Sequence, residues 1–314
     1  MRKLLLQLLL LLGGLGLVVG LALVPALRRP YLDAFYDRFT TPPAGSLVLG
    51  TSRAAQAVLP TELRAQLGKR YEGPWLNYAF TLFESPYGPA YLASVQRKLA
   101  PGTRHGLFLL AVDPWSLSME MEHARRPSQP VVFPEDNSII GKLHTVSQNP
   151  NLEYLTRHLR QPLYRVLLHD TTGIERLHSD GWLEIALPPP TADSARLRQR
   201  IADKLATYRP LAAASHLSAA RLHSLQQLIA FLKPHGRVLL VRLPTGPPLV
   251  ALENQYQPQF DQLMQHLAAS QGIDYLNYIG LAYPTNDGNH LWRGAARSFS
   301  QRLATDIARL PAQP

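Results

Sequence analysis

Three side chains in this sequence could together carry out nucleophilic catalysis, although they lie at opposite ends of the chain. Ser52 follows an apolar run within the stretch SLVLGTSRAAQAV, and Asp287 and His290 occur in the stretch NDGNHLW near the C-terminus. A serine nucleophile needs a base that accepts its proton and a third group that orients that base. With Asp-x-x-His spacing in one loop, the carboxylate could hold one ring nitrogen and leave the other facing the serine. The alternatives are a plain turn at Ser52, a turn or cap role for Asp287, and a structural hydrogen bond for His290.

The elements that must bring these residues together follow from the pattern of apolar runs. Runs separated by helical patterns predict a parallel, doubly wound sheet of the α/β class. We expect a flavodoxin-like three-layer sandwich with about five strands. In such sheets ligands bind beyond the carboxyl ends of the strands, and Ser52 lies at one such end. The predicted strands cover residues 46–50, 74–80, 106–113, 236–244 and 273–279.

The same pattern predicts how the chain is divided. The α/β domain is expected over residues 46–310, after a Pro-containing linker at residues 29–45. The stretch from about 114 to 190 is less regular and is rich in His, Arg, Pro and Asn. We therefore interpret this stretch as an insertion or cap over the sheet.

The first 28 residues form a separate segment that indicates a membrane location. Residues 4–27 are almost entirely apolar, and a bilayer-spanning helix needs about 20 such residues. Arg2 and Lys3 favour a cytoplasmic N-terminus, which would put the main domain in the periplasm or outside the cell. Arg28 and Arg29 on the other flank weaken that inference. Small residues near position 25 leave a cleaved signal peptide, and thus a secreted protein, as the alternative.

Composition excludes several kinds of chemistry. The 314 residues include no cysteine, which removes disulfides, thiolate metal sites and cysteine nucleophiles. The formal net charge of +10 could attract anionic lipid or acidic polysaccharide, or it could simply give a soluble surface. No nucleic-acid-binding motif is visible, so nucleic acid is not an expected partner. The 11 histidines lack metal-ligand spacing, so no metal is expected, and the serine chemistry needs no cofactor.

The combination of motifs resembles the SGNH (GDSL-type) hydrolase superfamily. Gly-x-Ser follows the first predicted strand, and Asp-x-x-His follows the last strand and precedes the final helix. The resemblance implies that Ser52 is the nucleophile, His290 the base and Asp287 the orienting acid. It covers residues 46 to 310, with the mid-chain insertion unmatched.

The residues that would form the oxyanion hole match the superfamily less well. The resemblance implies three donors: the serine N–H, the N–H of a second-block Gly, and the side chain of a third-block Asn. Asn77 matches the leading Asn of the second block, but Leu82 stands where the Gly belongs. Asp113 stands where the third-block Asn belongs, and a carboxylate there would repel an oxyanion. Either another donor replaces the Asn or the hydrolytic mechanism is impaired.

The overall layout is similar to membrane-anchored SGNH-like proteins of D-alanyl-lipoteichoic acid biosynthesis and alginate O-acetylation. This similarity implies a serine esterase or O-acyltransferase that acts on an acylated cell-envelope polysaccharide or glycolipid. It also implies a membrane-bound O-acyltransferase as a partner. The alternative is a catalytically degenerate binding or assembly component with the same fold.

Four further residues could contact the substrate. Arg53 and Arg242 lie at or near strand ends, where they could meet an anionic substrate or form ion pairs. Trp115 and Trp182 could stack on sugar rings or belong to the core or cap.

Overall fold

The centre of the molecule is a parallel sheet of five strands. A computed structural model describes residues 2–27, 33–120, 131–158 and 173–311. If the five strands of this sheet are numbered by their order along the chain, their order across the sheet is 2-1-3-4-5, which is the flavodoxin-like order. The predicted α/β class and three-layer architecture are confirmed. From edge to edge the strands are β2 (Trp75–Asn77), β1 (Ser46–Leu49), β3 (Gly106–Ala111), β8 (Gly236–Arg242) and β9 (Asp274–Asn277).

Helices surround this sheet, and two small antiparallel pairs of strands lie outside it. The pairs are β4 (Ser118–Glu120) with β7 (Ser215–Leu217), and β5 (Glu175–Leu177) with β6 (Leu183–Ile185). The α-helices are α1 (Arg2–Leu27), α2 (Tyr36–Thr40), α3 (Ser52–Ala57), α4 (Pro60–Leu67), α5 (Pro89–Lys98), α6 (Ile139–Lys142), α7 (Leu152–Arg157), α8 (Ser194–Ala214), α9 (Ala219–Leu232), α10 (Pro247–Tyr256), α11 (Phe260–Gln271) and α12 (Arg293–Arg309).

Both faces of the sheet are buried, which explains why the central strands are continuous apolar runs. On β3, Phe108 and Leu110 face one core cluster, while Leu107 and Leu109 face the other. Helices α5, α9 and α11 cover the first face, and α3, α4 and α12 cover the second. A strand in this position buries every side chain, so alternation of polar and apolar residues is not needed.

The segment predicted as a linker is in part a packed element of the domain. The structure describes this segment from Asp33 onward. On α2, Phe39 and Arg38 are fully buried, and Arg38 Nη2 donates to the carbonyl of Gly181 at 2.7 Å while its Nε donates to that of Asn77 at 3.1 Å. The prolines and charges of this segment are typical of a linker. Its aromatic side chains nevertheless pack into the core, and the segment is therefore part of the domain.

The mid-chain insertion is tied to the main domain at several points. Residues 121–130 and 159–172 of this insertion lie outside the described residues. The indole of Trp182 donates to the carbonyl of Gln56 on α3 at 3.0 Å. Arg221 on α9 forms a buried, two-point ion pair with Glu135 at 2.6 and 3.0 Å. These contacts hold the insertion against the carboxyl edge of the sheet.

The N-terminal helix α1 is apolar, and its first 20 residues are not buried against the rest of the described chain. Within α1, the 20 residues Arg2–Leu21 have a mean hydropathy of 2.5, and none of this span is buried. Length and composition are sufficient for a helix that crosses a bilayer or serves as a signal segment.

A buried lysine gives the domain an unusual dependence on pH. Lys98 is fully buried, and its Nζ donates to the carbonyls of Thr41 at 2.6 Å and Val146 at 2.5 Å. Burial lowers the pKa of Lys98 to about 7. Between that pKa and the unfolded value of about 10.4, the unfolded chain binds a proton that the folded chain does not. Stability should therefore rise with pH across this window.

We expect the Lys98→Met variant to lose this part of the pH dependence. In the wild type, the linkage is worth on the order of 4 kcal/mol between pH 7 and pH 10. The variant will be less stable overall because two carbonyls lose their donor, so the measurement is the slope of the unfolding free energy against pH. Lys69→Met, at an exposed position, should keep the wild-type slope because Lys98 is intact. Equal slopes in the wild type and Lys98→Met would contradict the assignment.

Candidate active site

Ser52 is presented at a tight turn between the first strand and the first helix of the sheet. β1 ends at Leu49, Thr51 is the N-cap residue of α3, and Ser52 is its first residue. Gly50 has a φ of +139°, and a Cβ there would lie 2.9 Å from the Cβ of Ala111. Only glycine fits this conformation and this close approach. Because Ser52 begins a helix, its backbone N–H has no acceptor within that helix.

The loop that carries Asp287 and His290 is closed by hydrogen bonds of the Asp287 side chain to its own backbone. Asp287 Oδ1 accepts from the N–H groups of Asn289 and His290, both at 2.9 Å. Gly288 has a φ of +79°, and its N–H donates to Thr285 Oγ1 at 3.0 Å. This Asx-type turn follows from the short side chain of aspartate and fixes the carboxylate relative to the imidazole.

The structure brings Ser52, His290 and Asp287 into hydrogen-bonding contact. Ser52 Oγ lies 2.9 Å from His290 Nε2, and His290 Nδ1 lies 2.9 Å from Asp287 Oδ2. An ionised carboxylate can only accept, so the Nδ1–H of the neutral imidazole donates to Asp287. Nε2 is then free to accept the proton of Ser52. The three residues have the connectivity of a nucleophile, a base and an orienting acid.

Asp287 is held in its ionised form by the groups around it. Burial alone would raise the pKa of Asp287, but the interactions with His290, together with the charge of Lys204, bring this pKa well below its ordinary value. Lys204 on α8 places its Nζ 3.1 Å from Asp287 Oδ2, the oxygen that also receives His290 Nδ1. The carboxylate is thus available to orient the imidazole across the physiological pH range.

A buried carboxylate, Glu253 on α10, organises the residues beside the nucleophile. Glu253 is inaccessible to solvent, and its Oε1 accepts from Arg53 Nη2 at 2.5 Å and from Trp115 Nε1 at 2.8 Å. Its Oε2 accepts from Arg242 Nη2 at 3.0 Å, and Arg242 also pairs with Asp261. Burial alone would lower the pKa of Arg53, but Glu253 and Asp113 outweigh that effect and raise it. All of these charges are therefore paired inside the domain.

Arg53 links this buried cluster to the loop that carries the imidazole. Its Nε donates to Asn289 Oδ1 at 2.8 Å, which fixes the orientation of the Asn289 amide. The amide nitrogen of Asn289 then lies 3.2 Å from His290 Nε2 and 3.4 Å from the hydroxyl of Tyr208. The chain of contacts from Glu253 through Arg53 to Asn289 connects the α3 turn to the loop at the opposite end of the sequence.

Arg53 and Arg242 form ion pairs, which is the alternative that the sequence left open to contact with an anionic substrate. Both guanidinium groups are almost completely buried, and both are bound by Glu253. A buried cation without a paired carboxylate costs several kcal/mol, so these arginines are used within the fold.

The predicted oxyanion-hole residues occupy three different environments. Asn77 is fully buried, and its Nδ2 donates to the carbonyls of Ala54 and Val58, both at 2.8 Å. Its side chain therefore ties the end of α3 to the sheet, and it does not act as an oxyanion donor. Asp113 is buried and accepts from the N–H of Ser116 at 2.9 Å, and burial raises the pKa of its carboxyl group although Arg53 partly opposes this. Leu82 is half-buried and lines a cavity.

The two tryptophans suggested as sugar platforms are packed inside the protein. Trp115 is 3% exposed and stacks on Tyr256 with ring centroids 5.1 Å apart. Trp182 is 7% exposed and stacks on His178 at 4.6 Å. They serve as core and cap residues, because neither ring has an exposed face on which a sugar could stack.

Four residues of the site were missed by sequence reasoning. Glu253 could have been suspected, since an acidic residue directly follows the apolar stretch PPLVAL of α10. Asn289 lies inside the Asp-x-x-His motif itself. Lys204 and Tyr208 have no such signal, because their positions depend on how α8 lies over the loop.

The site does not include a recognisable metal centre. Within the parts of the chain that the structure describes, no group of three or more His, Asp or Glu side chains is arranged to hold a metal ion.

Comparison with known proteins adds nothing to this geometry. No protein-family model, no curated protein and no solved structure matches the chain.

Removal of the buried carboxylate should destabilise the protein strongly. We expect Glu253→Ala to lower the free energy of unfolding by about 3–5 kcal/mol, because two buried guanidinium groups lose their acceptor. The matched control is Glu62→Ala. Glu62 Oε1 lies 3.3 Å from Nε of Arg297, whose side chain is 63% exposed, so the loss of this ion pair should cost less than about 1 kcal/mol. Denaturant unfolding of the detergent-solubilised chain measures both values. Similar losses in the two variants would refute the role given to Glu253.

Proposed function

We propose that this protein is an SGNH-like serine esterase or O-acyltransferase. The observation that supports the proposal is the contact chain from Ser52 Oγ to His290 Nε2 and from His290 Nδ1 to Asp287 Oδ2, with 2.9 Å at each step. These atoms lie beyond the carboxyl ends of parallel strands, where ligands of this fold class bind. The proposed substrates are acylated cell-envelope polysaccharides or glycolipids, as the resemblance in motif layout implies.

The proposed reaction has two balanced steps. In the first step, Ser52 Oγ attacks the ester carbonyl carbon and its proton moves to His290 Nε2. The tetrahedral intermediate collapses, the C–O bond to the alcohol breaks, and the alcohol leaves with the proton from His290. In the second step, water or a sugar hydroxyl gives its proton to His290 Nε2 and attacks the acyl-serine carbonyl carbon. The bond from that carbon to Ser52 Oγ breaks, and His290 returns the proton to Ser52 Oγ. Water gives hydrolysis, and a hydroxyl gives transfer.

The proposal needs donors for the developing oxyanion. The backbone N–H of Ser52 is the first proposed donor, because Ser52 is the first residue of α3 and its N–H has no acceptor within the helix. The side-chain NH₂ group of Asn289 is the proposed second donor. Arg53 holds the amide oxygen of Asn289, and this turns the NH₂ group toward the Ser52–His290 pair. Such a donor would compensate for Asp113 at the position of the family's Asn.

A membrane location is part of the proposal. The apolar α1 begins with Arg2 and Lys3, and this charge distribution supports a cytoplasmic N-terminus with the main domain in the periplasm or outside the cell. An anchored enzyme of this kind would work beside a membrane-bound O-acyltransferase. Cleavage of α1 as a signal peptide is the alternative, and it would give a secreted enzyme.

A second candidate function is a membrane-tethered binding or assembly component. Two observations favour it: Leu82 stands where the family has Gly, and Asp113 stands where it has Asn. Such a protein would hold the polysaccharide or the acyltransferase without turning over an ester.

The test of the proposed function is covalent labelling of the intact chain by a fluorophosphonate. We expect labelling at Ser52, identified by mass spectrometry, and a labelling rate at least about 100-fold lower in His290→Ala, because the general base is lost. Ser298→Ala is the matched control at an exposed serine and should label at the wild-type rate.

Absence of labelling in a chain that still unfolds cooperatively would rule out the esterase or acyltransferase. The binding or assembly role would then be tested by retention on acylated polysaccharide and by co-purification with a membrane-bound acyltransferase.

A further inference from the structure

A largely apolar cavity has walls that are linked by hydrogen bonds to the residues on either side of Ser52 in the sequence. Its volume is about 270 Å³, and most of its wall is formed by the apolar side chains of Leu82, Phe83, Pro86, Trp115, Met119 and Leu211. Of the three charged side chains in the wall, Arg221 and Glu135 are paired with each other, and Glu120 is exposed to solvent. Arg221 is paired at two points with Glu135, and its Nε donates to the carbonyl of Ser118 at 2.8 Å.

One wall of the cavity is attached to the turn that presents Ser52. The carbonyl of Gly50 accepts from the N–H of Phe80 at 3.3 Å and from Ser85 Oγ at 2.7 Å. These two bonds bracket the segment that contributes Leu82 and Phe83 to the wall. Hydrogen bonds therefore hold this segment to Gly50, which lies two residues before Ser52 in the sequence.

The opposite wall is attached to the residue after the nucleophile. The indole of Trp115 donates to Glu253, and the same carboxylate oxygen accepts from Arg53. Trp115 also packs edge-on against Tyr208 with ring centroids 4.8 Å apart, and the Tyr208 hydroxyl lies 3.4 Å from the Asn289 amide. The two walls thus converge on residues that flank Ser52 and His290.

Helix α8 extends over both the catalytic loop and the cavity. Lys204, Tyr208 and Leu211 are spaced four and three residues apart, so they lie on one face of the helix. Lys204 contacts Asp287, Tyr208 contacts Trp115, and Leu211 lines the cavity. The cavity and the reactive groups are therefore covered by the same helix face.

We propose that this cavity receives the acyl chain of the ester whose carbonyl Ser52 attacks. The inference rests on the proposed function and adds the chemical class of the acyl group. An alkyl chain fits the wall because the wall offers apolar area, and its Arg221–Glu135 pair has no free charge for a polar or anionic group. At about 30 Å³ for each water-sized group, the 270 Å³ hold about nine such groups, which corresponds to a chain of about eight carbons or fewer.

The experiment measures the acyl-chain preference of the full-length protein with p-nitrophenyl esters from acetyl to dodecanoyl. In the wild type, kcat/KM should rise about threefold for each added methylene over the first few carbons and fall beyond about eight carbons. Leu211→Trp fills the cavity and should lower the octanoyl-to-acetyl ratio of kcat/KM at least tenfold. The matched control, Ala213→Trp, lies on the same helix at an exposed position and should keep the wild-type ratio.

The results of this experiment distinguish a failure of the acyl-chain assignment from a failure of the proposed function. A wild-type enzyme that reacts through Ser52 with no dependence on chain length would overturn the acyl-chain assignment and leave the proposed function intact. The same conclusion follows if Leu211→Trp and Ala213→Trp have equal ratios. If Ser52 reacts neither with any ester nor with an octyl fluorophosphonate, both the proposed function and the acyl-chain assignment are refuted.

Discussion

The buried carboxylate of Glu253 is the interaction on which the arrangement of the site depends. A full negative charge without contact with water is tolerated only when cations and N–H donors surround it. Arg53, Arg242 and Trp115 supply those groups from three separate parts of the chain. Because Arg53 follows the candidate nucleophile and also binds Asn289, neutralisation of Glu253 fixes the distance between the α3 turn and the His290 loop. The charge cluster is thus a structural device that determines the relative position of the reactive residues.

The carboxylate of Asp287 is also surrounded by donors and by a cation, but here the groups are partly exposed. The carboxylate accepts two backbone N–H groups on one oxygen, and it receives His290 and Lys204 on the other. These donors keep the group ionised and leave it little freedom to rotate. An imidazole held by such a carboxylate has a defined tautomer, which directs Nε2 toward Ser52. Helix α8 contributes to this arrangement through Lys204, although it has no fully buried residue of its own.

The mid-chain region determines which molecules could reach these groups. Its β4 strand pairs with β7, which directly follows α8, and Trp115 and Met119 of this region line the apolar cavity. The insertion and α8 therefore form one cover over the carboxyl edge of the sheet. In a serine enzyme, such a cover controls the access of water, and water access separates hydrolysis from transfer to a hydroxyl.

The architecture and the three side chains that meet at the candidate site are predictable from the sequence alone. Continuous apolar runs at β3 and β8 indicate strands buried on both faces, and the helices between strands require parallel connections. Ser52 and the Asp287–His290 pair are predictable because each lies in a loop that follows a strand, and the carboxyl edge of a parallel sheet brings such loops together.

Only the tertiary structure decided what the arginines, Asn77 and the segment before β1 do. Arg53 pairs with a carboxylate 200 positions away, and Arg38 on α2 binds the carbonyl of Gly181, 143 positions away. Asn77 binds the backbone of α3, and neither its type nor its position distinguishes this role from an oxyanion contact. Local patterns record the period of a helix or strand and the position of its ends. They do not record which distant charge or carbonyl a buried polar group will meet, because that pairing is set by the packing of the complete chain.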